Sequence, residues 1–181
     1  LKKAREMGFK LKIHADEIVS LGGSELAGEL KATSADHLLH ASDAGIKAMA
    51  ENGVVSTLLP TTAFCLREPF ARAREMIDAG CAVALATDFN PGSGFTFSVP
   101  LMLGLAVIYM HMTAEEAITA LTLNGAAAVG RADRIGSIEV GKQADLTILQ
   151  YPSYKFLPYH TGVNIVEKVI KKGELVHTAS V

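Results

Sequence analysis

In Leu11–Glu17, LKIHADE, alternating apolar and charged residues end in His14, Asp16 and Glu17. A neutral imidazole three residues ahead of a carboxylate, at the end of a strand, can aim one group at a metal ion and the other at what the metal binds. Asp36 and His37, in SADH, form a second tip of the same kind. At the third, the apolar run Val83–Ala86 stops at Thr87, Asp88 stands at the strand's end, and Asn90–Gly94 make a loop that continues neither helix nor strand. A carboxylate at the C-terminal tip of a buried parallel strand is where barrel enzymes place chemistry. Each residue also has a plainer reading. Asp88 can cap a turn, His14 and His37 can be hydrogen-bonded core histidines, and Glu17 can be a carboxylate favoured by a helix N-terminus. Three tips of one kind favour a shared site. His40, His111 and His177 read as surface or packing residues, and His160 as loop packing or cleft lining. Asp145 reads as fixing a turn in the C-terminal tail.

The elements that must position these groups alternate along the chain. Lys2–Met7 reads as the end of a helix closed by Gly8, followed by a strand over Lys10–Ile13. Gly22, Gly23 and Ser24 open a helix with Leu26, Ala27 and Leu30 inward, and the segment Ala32–Leu39 carries Asp36 and His37. Ser42 caps a helix with Ile46, Met49 and Ala50 on its apolar stripe, ended by Gly53. Val54–Leu59 is a buried strand stopped by Pro60 and two threonines, Glu68–Ala79 a helix, and Cys81–Ala86 the strand that delivers Asp88. Helices follow at about Ser98–His111 and Ala114–Val129, the second opened by a Thr113–Glu116 capping box. Beyond Arg131 the pattern turns to β alternation, over Gly136–Gln150 and Val163–Val176, with turns at Gly141 and Lys172-Gly173.

Strand–helix repeated about four times predicts an α/β fold with a parallel sheet, either an open sheet or part of a barrel. A complete eight-stranded barrel takes about 250 residues; this chain has 181. The fold expected is the C-terminal half of a (β/α)8 TIM-type barrel, about strands 5 to 8, over residues 1–130, with a small composite β-sandwich segment over residues 131–181. The opening Leu1, already inside a helix ending, reads as part of a longer polypeptide.

A net charge of −2 and 49% hydrophobic residues carry no signature of a nucleic-acid partner. The longest apolar stretch, Val99–Met112, is too short to span a bilayer and no secretory leader is expected, so the expected setting is the cytoplasm without a membrane partner. Cys65 and Cys81 sit in apolar surroundings and read as buried free thiols.

HADE at His14–Glu17, SADH at Ser34–His37 and above all ATDFNPGS at Ala86–Ser93 resemble the imidazolonepropionase family of the metal-dependent amidohydrolase superfamily. PYHTGVN at Pro158–Asn164 resembles the same family, and TAEEAITALTLNGAAAVG and GSIEVGKQADLTIL resemble the superfamily's tail. The resemblance covers nearly the whole chain. It implies a (β/α)8 barrel with a small β-sandwich, a divalent zinc or iron ion, and hydrolysis of 4-imidazolone-5-propanoate to N-formimidoyl-glutamate in histidine degradation. It makes His14 and Asp88 metal ligands, Asp88 also the general base, and Glu17 a substrate-binding and proton-moving group. His37 becomes their catalytic neighbour, and Asn90, Gly92 and Ser93 substrate contacts. It implies a homodimer for the full-length protein, and it puts a His-x-His pair and further substrate-gripping residues in an N-terminal half. Two other readings stand beside it: an aminohydrolase deaminating a purine, pyrimidine or triazine ring, and a non-catalytic scaffold of the same fold. The loop sequence after Asp88 weighs against the first and the retained His14, Glu17 and Asp88 against the second.

Overall fold

A computed structural model describes residues 1–179. It holds two sheets. The first is parallel, with strands β1 (Lys12–Ala15), β2 (Ser34–His37), β3 (Val55–Leu58) and β4 (Val83–Leu85) in that spatial order. Sequential order in a parallel sheet requires a crossover after each strand, and helices supply it. They are α2 (Gly23–Glu29) after β1, α3 (Asp43–Asn52) after β2, and α4 (Pro60–Leu66) with α5 (Ala73–Asp78) after β3. A short α1 (Lys2–Glu6) precedes the sheet, and α6 (Val99–Tyr109), α7 (Ala114–Leu121) and α8 (Leu123–Ala128) follow it. The second sheet is antiparallel: β5 (Leu146–Leu149), β6 (Val166–Lys171) and β7 (Glu174–Thr178), with α9 (Phe156–Tyr159) between β5 and β6.

Side chains alternate along a strand, so the parallel sheet has two faces of different character. The helix-facing side buries Leu11 and Ala15 with Ala35, Leu58, Val83 and Leu85, against Ala27, Ile46, Met49 and Met76. The opposite side carries Lys12 and His14, Asp36, Thr57 and Ala84. It is covered at its foot by α8, where Ala128 packs on Val55 and Ala84. The close approach of α2 and α3 depends on Gly28: a Cβ there would lie 2.8 Å from the Ala48 backbone.

The caps behave as their residue types require. The Ser42 hydroxyl accepts the Gly45 N–H at 2.9 Å, and Gly53 ends α3 at φ 66°. Thr113 and Glu116 form the reciprocal capping box of α7. Several boundaries differ from the sequence expectation. β1 lies two residues later than Lys10–Ile13, so His14 is within the paired ladder, opposite Asp36, and the strand's exit falls at Asp16. Leu26 is exposed on the outer face of α2. Glu68–Ala79 is not one helix. Pro60 starts α4, because its missing N–H sits where a helix has no acceptor to offer, and Arg67 closes it in the left-handed region at φ 59°. Ala114–Val129 is split at Thr122, where Gly136 packs so tightly that a Cβ would come within 2.9 Å of the Thr122 carbonyl. Of Gly136–Gln150 only β5 is strand, and the rest is bends, coil and a turn at Val140 and Gly141. Cys65 is exposed on α4, whereas Cys81 is buried, and burial pushes its thiol up. Residues 180–181 of the expected sandwich segment lie outside the described residues.

Candidate metal and catalytic site

The parallel strands end in strained backbone. Asp16 (φ 49°), His37 (φ 77°), Leu38 (φ 62°) and Asp88 (φ 50°) all occupy the left-handed region that non-glycine residues rarely adopt. Such strain persists only where surrounding contacts over-determine it, and it clusters at functional sites. Here the tips of β1 and β2 are cross-tied: the Leu38 N–H donates to Ala15 O at 3.0 Å, and the His40 N–H to Asp16 O at 2.8 Å.

These exits bring three of the expected residues together. One ligand atom each from His14, Glu17 and His37 lies within 4.8 Å of the others. The His14 and His37 ring centroids are 4.7 Å apart, and His37 Nδ1 stands 3.5 Å from Glu17 Oε1. His37 is buried, and neither ring nitrogen has a hydrogen-bond partner among the described residues. Burial holds its pKa below the usual histidine range against the opposing pull of the Glu17 and Asp88 carboxylates. Two imidazoles with unengaged nitrogens and a carboxylate make a donor set that suits zinc or a similar ion. His14, which is exposed, shares a concavity of about 260 Å³ with Lys12, Asp36, Thr57 and Asp88. Asp88 thus faces the same cavity as His14 without being part of the close trio.

Asp88 is held by an element that the sequence hid. The Thr62 hydroxyl, on α4, donates to Asp88 Oδ2 at 2.7 Å, and the Thr61 hydroxyl to Thr87 O at 2.6 Å. The loop beyond is closed on itself. Asn90 Nδ2 donates to Asp88 O at 2.7 Å, and Asn90 Oδ1 accepts the N–H groups of Gly92 at 2.8 Å and Ser93 at 2.9 Å. Those two N–H groups are therefore engaged within the loop. His160 packs among Tyr151, Phe156 and Tyr159, with ring centroids 4.6, 5.6 and 5.3 Å away. His111 and His177 are exposed.

Four further polar residues of this region carried no assignment from sequence. Lys12 donates to Ser34 Oγ, to Asp36 Oδ1 at 3.4 Å and to Ala128 O at 3.3 Å, the three acceptors an ammonium can use. Thr57 presents a buried hydroxyl without a partner among the described residues. Thr62 orients Asp88. Asp16 is buried, which by itself would raise its pKa, yet the Ser24 hydroxyl and three backbone N–H groups hold the carboxyl below its ordinary value. Only Asp16 had a visible signal, its place between His14 and Glu17.

A parallel sheet with crossover helices, and imidazoles and carboxylates at its strand C-termini, defines a protein of the α/β class, whose members generally bind ligands at that end of the sheet. The chain belongs to the amidohydrolase family, which it matches over residues 1–176. It is 73% identical over 180 residues to imidazolonepropionase of Clostridium tetani, covering 99% of this chain and 43% of that protein. It is 69% identical over 175 residues to imidazolonepropionase of Bacteroides thetaiotaomicron, covering 97% of this chain and 42% of that protein. The chain thus spans less than half the length of these relatives. Among solved structures, a zinc-bound adenosine deaminase from Xanthomonas campestris superposes with a TM-score of 0.81 at 25% identity, over 96% of this chain and 46% of that one. A guanine deaminase from Clostridium acetobutylicum, with guanine bound, does so with a TM-score of 0.76 at 18% identity, over 97% and 50%. Among the described residues no helix is long and apolar enough to cross a membrane.

Proposed function

We propose that this chain is the C-terminal half of an imidazolonepropionase-type hydrolase, with residues 1–130 forming about four units of a (β/α)8 barrel and residues 131–181 a segment of a β-sandwich. The observation that carries the reading is the 73% identity to the Clostridium tetani relative over nearly the whole chain. The reaction adds water across the ring C–N bond of 4-imidazolone-5-propanoate. The carbonyl carbon becomes the carboxylate of N-formimidoyl-glutamate, and the ring nitrogen leaves with a proton.

Of the groups gathered here, His14 and Asp88, which face one cavity, would hold a divalent zinc or iron ion together with ligands from the rest of the protein, with Glu17 and His37 beside it. Bound there, such an ion activates water near neutral pH, bringing its pKa to about 7. Asp88 is suited to take a proton, since Thr62 holds Oδ2 and no hydrogen bond engages Oδ1 among the described residues. Glu17 carries no hydrogen-bond donor on its carboxylate among the described residues and stands beside His37, an arrangement for passing a proton to the departing nitrogen. Asn90, Gly92 and Ser93 shape the substrate side of the site as one rigid turn. The substrate is a small anion, the full-length protein a homodimer, and the setting the cytoplasm.

The test is a chain completed with the N-terminal part of the Clostridium tetani relative, assayed for ring opening and for metal content. Turnover of imidazolone propanoate with bound metal is expected. Deamination of guanine or cytosine in its place would hand the function to the aminohydrolase reading, to which the solved deaminases lend a shared fold. A folded protein without metal or turnover would leave the non-catalytic scaffold.

A further inference from the structure

Glu17 stands 3.5 Å from His37, yet no side chain or backbone N–H among the described residues donates to its carboxylate. Its place must therefore be set by the backbone that carries it. The residue immediately before it is held through both of its carboxylate oxygens. Asp16 is 6% exposed. Its Oδ1 accepts the N–H of Leu21 at 2.9 Å and of Gly23 at 3.0 Å, and its Oδ2 accepts the N–H of Ser24 at 2.9 Å and the Ser24 hydroxyl at 2.6 Å. Its own carbonyl accepts the His40 N–H at 2.8 Å, from the loop that leaves β2. Its φ of 49° reverses the chain where β1 ends. Asp and Asn tolerate that region better than other non-glycine residues. Both carboxylate oxygens, the peptide carbonyl and the backbone angle are thus fixed at once, at the position that launches Glu17.

We propose that Asp16 is the positioning residue for Glu17: its carboxylate ties the loop 17–24 into a closed turn, and this turn holds the Glu17 carboxylate against His37. The proposal rests on the reading of Glu17 as a proton-moving group. The geometric part stands apart from the reaction and can be measured without it. Asp16 would leave His14 alone, because His14 lies inside the β1 ladder, opposite Asp36, before the chain turns.

The test is Asp16→Asn in the completed chain, alone and combined with Glu17→Gln. Asn keeps the tolerance for the left-handed region but offers one acceptor oxygen where four donors now converge, so the turn loosens. A crystal structure of Asp16→Asn should show Glu17 withdrawn from His37. The kcat should fall by about ten- to hundredfold, as for groups that orient an active residue, with metal content unchanged. On the Glu17→Gln background the same substitution should cost nothing further, because residues acting through one group are not additive. Glu17 remaining 3.5 Å from His37 would overturn the proposal, and so would an equal loss of kcat with and without Glu17. If the unsubstituted completed chain opens no imidazolone ring, the reaction reading fails by itself, and Asp16 is judged on the Glu17–His37 distance. Should Asp16→Asn not fold, Ser24→Ala removes one of the four donors and is read for the same separation and the same non-additivity, at a smaller loss.

Discussion

At the scale of single residues, the candidate site depends on hydrogen bonds that aim carboxylates rather than on the carboxylates alone. Asp88 is the sharpest case. Asp88→Asn keeps the shape but supplies an amide that cannot accept a proton and binds metal poorly. We expect the completed chain to lose about 10²- to 10⁴-fold in kcat with its melting temperature little changed; near-normal turnover at normal metal content would remove Asp88 from the general-base role. Thr62→Val tests the aim of the same group. Deleting its hydroxyl leaves Asp88 Oδ2 without its 2.7 Å donor, and kcat should drop on the order of tenfold. Thr62→Ser, which keeps the hydroxyl, should recover most of it; no difference between the Val and Ser variants would show that the bond is idle. The sequence singles out His14, Glu17, His37 and Asp88 because each falls at or near the end of an expected strand. It does not single out Thr62 and Thr57. A threonine after Pro60 looks like any turn residue until the fold brings Asp88, 26 positions away, onto its hydroxyl.

At the scale of elements, the crossover helices set the spacing of the strand ends, and their contacts leave little slack. Gly28 is where α2 meets α3, and an added Cβ would strike Ala48 backbone and Cβ atoms at 2.8 Å. Backbone cannot step aside as a side chain can, so Gly28→Ala should destabilise the completed chain by about 1–3 kcal/mol. A denaturant midpoint equal to wild type would show that the helices separate freely. The antiparallel sheet has its own fastening in Asp145. Its carboxylate accepts Lys171 Nζ at 2.5 Å, the Lys172 N–H at 2.9 Å and Gln143 Nε2 at 2.7 Å. The Lys171 ammonium first, then the Lys172 N–H, lower its pKa to about 2. A carboxyl depressed in the folded state stabilises fully above its unfolded value of about 3.9 and loses that contribution as pH falls through its folded value. The stability advantage of wild type over Asp145→Asn should therefore be constant above about pH 4 and shrink from there towards pH 2. An advantage that holds to pH 2, or that grows as pH falls, would contradict the assignment. The parallel sheet was readable from its apolar runs. The bounds of β1 were not, because the alternation of lysines with Leu11 and Ile13 begins before the paired ladder and does not mark where pairing starts, and the α4 start was masked by a proline that reads equally as a stop.

At the scale of the molecule, the same topology that gathers these groups leaves both edges of the parallel sheet open among the described residues. In the order β1-β2-β3-β4 both outer strands belong to a parallel sheet, and each turns one row of backbone N–H and C=O groups away from any partner strand. The face that bears Lys12, His14 and Thr57 is roofed by α8 only at its foot. The loops add exposed apolar side chains, with Leu21 85%, Phe95 75% and Phe97 76% exposed, and Phe89 tilted against Phe95 at 4.9 Å and edge-on to Phe97 at 5.6 Å. Exposed edges and contiguous apolar surface of this kind drive association. We therefore expect the 181-residue chain, expressed alone, to dimerise or aggregate, to bind metal weakly and to open no imidazolone ring. Supplying the N-terminal part of the Clostridium tetani relative as a separate polypeptide should convert it to a one-to-one assembly, with tight metal binding and turnover appearing together. Sedimentation velocity, metal analysis and the ring-opening assay on the same samples distinguish the outcomes. Association without recovered turnover would mean that the partner covers the sheet but does not complete the site. A stable monomer that turns over substrate by itself would mean that His14, Asp88 and their neighbours suffice, and that the sheet is a finished fold rather than half of a barrel.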